Sequence, residues 1–219
     1  MSPSVPLLVD DTVYEHVLRS APAETEIVSN QLNGPALVRA ILQYCPSLDG
    51  VQLDGFVAGG FVRDVIAGSS PRDLDIYVRN QESAAELQAA LRLGNWTLDR
   101  IGLVSASWRD SRGHVVQVIK AEAESAADCI RRFDLTICCA AVDLPTPLTY
   151  CSVTFLADIN ERRLVINRPA FPVDTLRRIA RFVNEGYSIS ASQLQVLHGC
   201  ILRELHSHGI NAFRPCELL

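Results

Sequence analysis

Apolar and polar positions along this chain follow two periods, and the switch between them outlines the elements. Helical spacing marks Thr12 to Arg19 and Pro35 to Tyr44, separated by a polar stretch ending in Asn33-Gly34. From Leu53 the pattern turns to strands. Leu53 to Ala58 is a short apolar run, and Asp73 to Arg79 alternates polar and apolar residues. Between them Phe61 to Ile66 has helical character, Gly68 can close it, and Ser69, Ser70 and Pro71 make a turn. Ser83 to Leu93 reads as a helix bounded by Asn80 and Gly94, with Ala84, Leu87 and Leu91 as its inward stripe. Leu103 to Trp108 and His114 to Lys120 form a hairpin about Asp110-Ser111-Arg112-Gly113. A helix near Ala123 to Arg131 leads into a strand from Phe133 to Val142, on which Cys138 and Cys139 point to opposite faces. Beyond Pro145 and Pro147 the period becomes helical, over Val173 to Glu185 and Ser190 to His208. Leu176, Ile179, Ala180 and Val183 line the first of these helices, and Leu194, Leu197, Ile201 and Leu205 the second.

This order predicts a mixed sheet with helices on one side over residues 51–150, a helical lead-in at 1–50 and a helical neck at 151–219. With 219 residues, 48% of them hydrophobic, the chain can bury a sizeable core. A formal net charge of −5 argues against gripping a long nucleic acid by the overall field, while leaving a local basic patch open. No apolar run reaches the length of a membrane span, and MSPSVPLLVDD lacks the basic start and long apolar core of a signal peptide. A cytoplasmic protein without a membrane partner is therefore expected. Seven cysteines without CxxC spacing fit reduced thiols, most of them in the core. His206 and His208, two apart on a helix, cannot face one another, so zinc is not expected there.

The chemistry concentrates in Ala58 to Val78, AGGFVRDVIAGSSPRDLDIYV. Gly59 and Gly60 remove side chains where backbone amides could meet an anion closely, and the following helix adds its unpaired N–H groups and dipole. A triphosphate is such an anion. Asp73 and Asp75 stand two apart on a strand, so their carboxylates share a face roughly 6–7 Å apart, close enough to clamp divalent ions. That is the geometry of two-metal phosphoryl transfer. Taken singly, a glycine pair is an ordinary turn and two spaced aspartates an ordinary solvated edge; their joint order carries the reading.

GGxVRDxxxGxxPxDxD resembles the signature of the polymerase-beta-like nucleotidyltransferase superfamily, specifically the head shared by CCA-adding tRNA nucleotidyltransferases and bacterial poly(A) polymerases. Gly59, Gly60, Val62, Arg63, Asp64, Gly68, Pro71, Asp73 and Asp75 fall on it. RRFDLTICCAAVD, from Arg131 to Asp143, is similar to the RRDFTxNAxAxD motif of those heads, with Arg132 on its first arginine, Phe133 in place of its second and Asp134 on its aspartate. Ala157-Asp158-Ile159 with Arg162, Arg163 and Leu164 resembles the link between head and neck. Asp174 and Arg177 reproduce the spacing of the neck's EDxxR motif, with Val173 replacing the glutamate. Placing Arg178 and Phe182 on the family's RxxRF run instead puts Pro172 on the motif aspartate.

The resemblance implies an α/β (α+β) fold: a mixed-sheet nucleotidyltransferase head with flanking helices and a short C-terminal helical neck. It implies two Mg²⁺ ions, or Mn²⁺, on Asp73 and Asp75. Family members usually add a third carboxylate from a neighbouring strand, where VVQVIK offers Gln117 and Lys120 but no acid, so Asp134 is assigned that place. Gly59, Gly60 and Arg63 would hold the β- and γ-phosphates; alternatively Arg63 pairs with a protein carboxylate and sets the turn. Arg132 and Asp134 fall near the sugar and the primer end, and Asp64 is structural. Asp174 and Arg177 would hydrogen-bond the incoming base, or else lie on an exposed helix face where Asp174 pairs with Arg178 at i,i+4. The implied reaction transfers a nucleoside monophosphate from a nucleoside triphosphate to an acceptor hydroxyl and releases pyrophosphate. An RNA 3′ end is the expected acceptor, by analogy of fold. A protein hydroxyl, or nucleotide binding without turnover, is the alternative. The resemblance covers about Phe56 to Tyr187 and leaves no room for the large helical body with which CCA-adding enzymes grasp tRNA, so full tRNA maturation is not expected.

Overall fold

A computed structural model describes residues 25–120 and 123–207. The expected helix from Thr12 to Arg19 and the residue His208 lie outside the described residues. The elements run β1 (Ile27–Ser29), α1 (Gly34–Tyr44), β2 (Gly55–Ala58), α2 (Gly60–Ile66), β3 (Asp73–Val78), α3 (Gln81–Leu93), β4 (Thr97–Ile101), β5 (Ser105–Arg109), β6 (Val115–Lys120), α4 (Ala126–Arg131), β7 (Ala140–Asp143), β8 (Thr149–Ser152), α5 (Phe155–Asn160), β9 (Arg163–Leu164), α6 (Pro172–Asn184), β10 (Ser188–Ile189) and α7 (Ala191–Ser207). Eight strands form one sheet in the order β1-β8-β7-β2-β3-β6-β5-β4. β3 and β6 are parallel and every other pair in it is antiparallel, so the sheet is mixed as the sequence implies.

Helices flank both faces of the sheet, not one. Val57 joins Leu74, Ile76, Trp108 and Val116 in the core that α1, α2 and α3 cover, whereas Phe56 and Ala58 pack with Ala126, Cys129 and Ile130 of α4. β2 and β7 are buried along their whole length. Such strands show no alternation, so the pattern could not reveal that a second layer lies behind them. β1, β4, β8 and α5 had no counterpart in the pattern either. β4 is exposed at all five positions, an edge strand with no apolar face to betray it.

The expected strand from Phe133 begins only at Ala140. Before it, Leu135 bridges Ile166 and Thr136–Cys138 makes a single 3-10 turn. Asn167, fully buried, holds this segment by donating to the carbonyls of Arg131 and Phe133 at 2.9 and 2.7 Å. The neck helix α6 also turns a different face inward. It buries Pro172, Thr175, Ile179 and Phe182, and leaves Leu176 and Val183 44% and 45% exposed. A threonine in the buried stripe disguises that face; its hydroxyl is satisfied by Asp134 Oδ2 at 3.1 Å. Phe155, Ile159, Ile179, Phe182 and Leu197 share one cluster with Val57, Phe61 and Leu74, so head and neck have a common core. No helix among the described residues is long and apolar enough to cross a membrane.

Asp158 at the head–neck link is wholly buried. It accepts from Thr136 Oγ1 at 2.6 Å, Thr154 Oγ1 at 2.7 Å and Arg163 Nε at 2.8 Å. Asp158→Ala leaves those donors facing a void, and urea unfolding should show a loss of about 3 kcal/mol with the far-ultraviolet dichroism retained.

Candidate active site

The site begins where β2 ends. Gly59 has φ of 84°, outside the range open to L side chains, and a Cβ there would stand 3.4 Å from the Phe133 ring. Its N–H donates to the Ala140 carbonyl at 2.9 Å. That bond corrects the expectation for Gly59: its amide is spent on the sheet, and the residue serves the turn. Gly60 takes the first helical position of α2, where the amide has no intrahelical partner. A Cβ on Gly60 would lie 3.6 Å from Arg63 Nη2 and 3.9 Å from Asp73 Oδ1, which puts the glycine turn, the arginine head and the first aspartate in one place.

Arg63 is nearly buried. Its Nη2 lies 2.6 Å from Asp64 Oδ1, its Nη1 3.5 Å from Cys138 Sγ, and its guanidinium 4.8 Å over the Phe182 ring. Pairing with a protein carboxylate is thus the state observed, and Asp64 is the carboxylate.

Asp73 and Asp75 occupy the half-buried positions of β3, whose alternate residues Leu74 and Ile76 are in the core. Oδ1 of Asp75 is buried without a hydrogen-bond partner. Burial, and then the charge of Asp73, push the Asp75 carboxyl up to about 7, while Arg178 works against that rise. Two adjacent carboxylates, one an orphan, fit a hard divalent cation, which would supply the missing charge and accept oxygen ligands. Gln117 of β6 stands directly beside Asp75 in the parallel register and contributes an amide, not an acid.

Asp134 lies before the 3-10 turn and faces the neck. Thr175 Oγ1 donates to its Oδ2, and Arg178 Nη1 lies 3.1 Å from its Oδ1 without hydrogen-bond alignment. Among the described residues no group of three His, Cys, Asp or Glu is placed to hold a metal. The structure therefore does not gather Asp134 with Asp73 and Asp75; a neck arginine has taken its charge. Arg132 is exposed at the C-terminal cap of α4. Asp174 and Arg177 pair with each other at 2.7 Å, their side chains 64% and 76% exposed. Of the two alignments of the neck, the one marked by Arg178 and Phe182 faces the head. Arg178, whose Nη2 donates to Cys138 Sγ at 3.3 Å, is the residue that motif reading placed on the alternative alignment without giving it a site role. Its signal was the RxxRF spacing, in which Arg178 and Phe182 stand one turn apart.

Residues 38–162, more than half of the chain, match the model of a family described as Gabija anti-defense 2 family protein. The chain belongs to this family. The matched stretch holds Gly59, Gly60, Arg63, Asp73, Asp75 and Asp134 and stops before α6, so the anti-defense family pattern covers the head and not the neck arginine. No curated protein matches the chain. Among solved structures it is similar to a Thermotoga maritima CCA-adding enzyme complexed with tRNA, at 20% identity and a TM-score of 0.58 over 89% of this chain and 46% of that one. It is similar also to a CCA-adding enzyme in complex with CTP, at 22% identity and a TM-score of 0.59 over 80% and 45%. A tRNA nucleotidyltransferase complexed with a primer tRNA and an incoming ATP analog matches at 17% identity and a TM-score of 0.55 over 75% and 52%. The chain spans about half the length of these structures. The fold of this member of the anti-defense family is that of a nucleotidyltransferase head.

The raised Asp75 pKa has a thermodynamic sign. The folded state holds the proton more tightly than the unfolded one, so ionising Asp75 costs stability progressively from its ordinary 3.8 up to about 7, and fully above that. Asp75→Asn should raise Tm by several degrees near pH 8 and change it little near pH 4, as scanning calorimetry would read. Added Mg²⁺ should raise Tm of the parent near pH 8 and not that of the variant.

Proposed function

We propose that this protein is a metal-dependent nucleotidyltransferase that moves a nucleoside monophosphate from a nucleoside triphosphate to an acceptor hydroxyl and releases pyrophosphate. One observation carries the reading: Asp73 and Asp75, with a buried carboxylate oxygen unpartnered, stand beside a glycine turn and Arg63 on a nucleotidyltransferase fold. In this reading Asp73 and Asp75 hold two Mg²⁺ ions, for which Mn²⁺ could substitute. When bound, the ions lower the pKa of the acceptor hydroxyl and stabilise charge on the departing pyrophosphate. The Gly60 amide and the inner nitrogens of Arg63 receive the phosphate oxygens, while Gly59 keeps the turn tight enough for them to approach. Phe182 beneath Arg63 and Asp64 beside it fix the guanidinium before the nucleotide arrives. Arg132 and Asp134 border the sugar and the acceptor end. Asp174 and Arg177 pair with each other on the exposed face of α6, which favours a surface ion pair over base selection.

An RNA 3′ end is the acceptor we favour, because solved structures of the same fold are complexes with tRNA. The name of the family suggests that the transfer serves to disarm a defence system, in the cytoplasm where such a target would lie. A second reading, nucleotide binding without turnover, is favoured by Gln117 standing beside Asp75 where a third acid would complete the set.

Incubation with α-labelled nucleoside triphosphates, Mg²⁺, total RNA and total protein separates these readings. Label should pass to RNA, and Asp73→Asn or Asp75→Asn should reduce the transfer by about 100-fold or more. Label in the protein pool alone would move the acceptor to a protein hydroxyl. Tight nucleotide binding with no label in either pool would sink the transferase and leave the binding module.

A further inference from the structure

The three most exposed large apolar side chains among the described residues, Leu93, Ile101 and Leu103, gather at one edge of the sheet, and Leu98 and Val104 stand with them between residues 93 and 104. An apolar patch of this kind marks a contact surface. The strand among these residues, β4, ends the sheet: its inner edge pairs with β5 and its outer edge has no strand. It carries neither lysine nor proline, residues that close an edge to further pairing.

β4 also holds a bulge. Leu98 stands opposite Trp108 and Arg100 opposite Ser107, so Asp99 is the extra residue. The bulge shifts the alternation by one. Leu98 and Ile101 lie opposite Trp108 and Ala106, which are two apart on β5, so both apolar side chains share the core side of the sheet. Arg100, opposite Ser107, takes the other face, and on that face Asp99 reaches Arg109 at 3.3 Å. An acid and a base thus stand side by side on one face and two apolar residues on the other. Arg100 has no ion-pair partner among the described residues, and the Asp99 side chain is still 49% exposed.

A strand patterned in this way is its own complement. A two-fold axis perpendicular to the sheet, passing between Asp99 and Arg100, sets β4 antiparallel to a second β4. Asp99 then lies opposite the partner's Arg100, and Leu98 opposite the partner's Ile101. Such an axis keeps each face on its own side, so the pairs match in face as well as in kind. In a regular strand Asp99 and Arg100 would face opposite ways and this register would fail. The same axis brings the partner's Leu103 to the level of Trp96, three residues from Leu93.

We propose that two copies of this chain join through β4, uniting their eight-stranded sheets into one. Asp75 is in register with Gln117 and Gln117 with Ser107, so the aspartates lie on the same face as Arg100. The dimer therefore presents both aspartate pairs on one side, seven strand spacings or roughly 34 Å apart along the sheet. β6 and β5 separate the joint from β3 and leave Asp73 and Asp75 uncovered.

Sedimentation equilibrium of the full chain should give twice the chain mass, and hydrogen exchange at Thr97 to Ile101 should slow as protein concentration rises. Arg100→Asp leaves only acids on that face of the joint and Asp99→Arg only bases, so each alone should weaken the dimer by about tenfold or more. Mixed in equal amounts, the two variants set acid against base again and should form a heterodimer close to parental strength. Far-ultraviolet dichroism separates lost pairing from lost folding. A parent that is monomeric at every concentration, a dimer that both single variants leave intact, or a mixture of folded variants that stays monomeric overturns the joint. Should either variant not fold, the exchange measurement on the unmodified protein decides: protection at Thr97 to Ile101 that is independent of concentration overturns it.

Discussion

An ionised carboxylate buried without a donor is among the costliest groups a fold can carry, and Asp75 has such an oxygen at the centre of this one. The strand gives it no escape. β3 is paired on both edges, to β2 and to β6, and Leu74 and Ile76 on either side of Asp75 are fully buried on the opposite face. Sliding the strand by one residue to release Asp75 would turn both apolar side chains out of the core. Packing energy therefore holds the aspartate in an unfavourable place. Beside it stands Asp73, which raises the cost, and the positive charge of Arg178, arriving from the neck, offsets part of it. A site that lowers its own stability in this way has a reserve of free energy that a bound cation can recover.

The neck is accordingly part of the electrostatics around the head's aspartates. Phe182 lies under the Arg63 guanidinium, Thr175 and Arg178 engage Asp134, and Arg72 pairs with Glu185 across the same seam. These contacts are polar or mixed at the site and apolar below it, where Ile179 and Phe182 enter the common cluster. Stability and electrostatics are supplied by the same helix face.

What the sequence made legible follows from how local each feature is. The glycine turn and the two aspartates could be placed because their geometry depends on neighbours within a strand and a turn, and the mixed sheet followed from the same reasoning. Asp134 could not, since its role depends on Thr175 and Arg178, some forty residues away. The inner face of α6 escaped for a related reason: Thr175 is buried because Asp134 accepts its hydroxyl, and hydropathy alone ranks Leu176 above it. That the Gly59 amide is spent on Ala140 was not legible, because only the β2–β7 pairing places that carbonyl beside it. β4 left no trace, being exposed throughout.

Phe182 beneath Arg63 also orders the events of synthesis. The chain leaves the ribosome from its N-terminus, so the glycine turn and both aspartates emerge well before the aromatic ring that completes the pocket around Arg63. Until α6 follows, Arg63 lacks the aromatic ring over which its guanidinium rests. Its contacts span more than a hundred residues of sequence, and closing loops of that length is slow. The enclosure of Arg63 is thus completed only once α6 has been made.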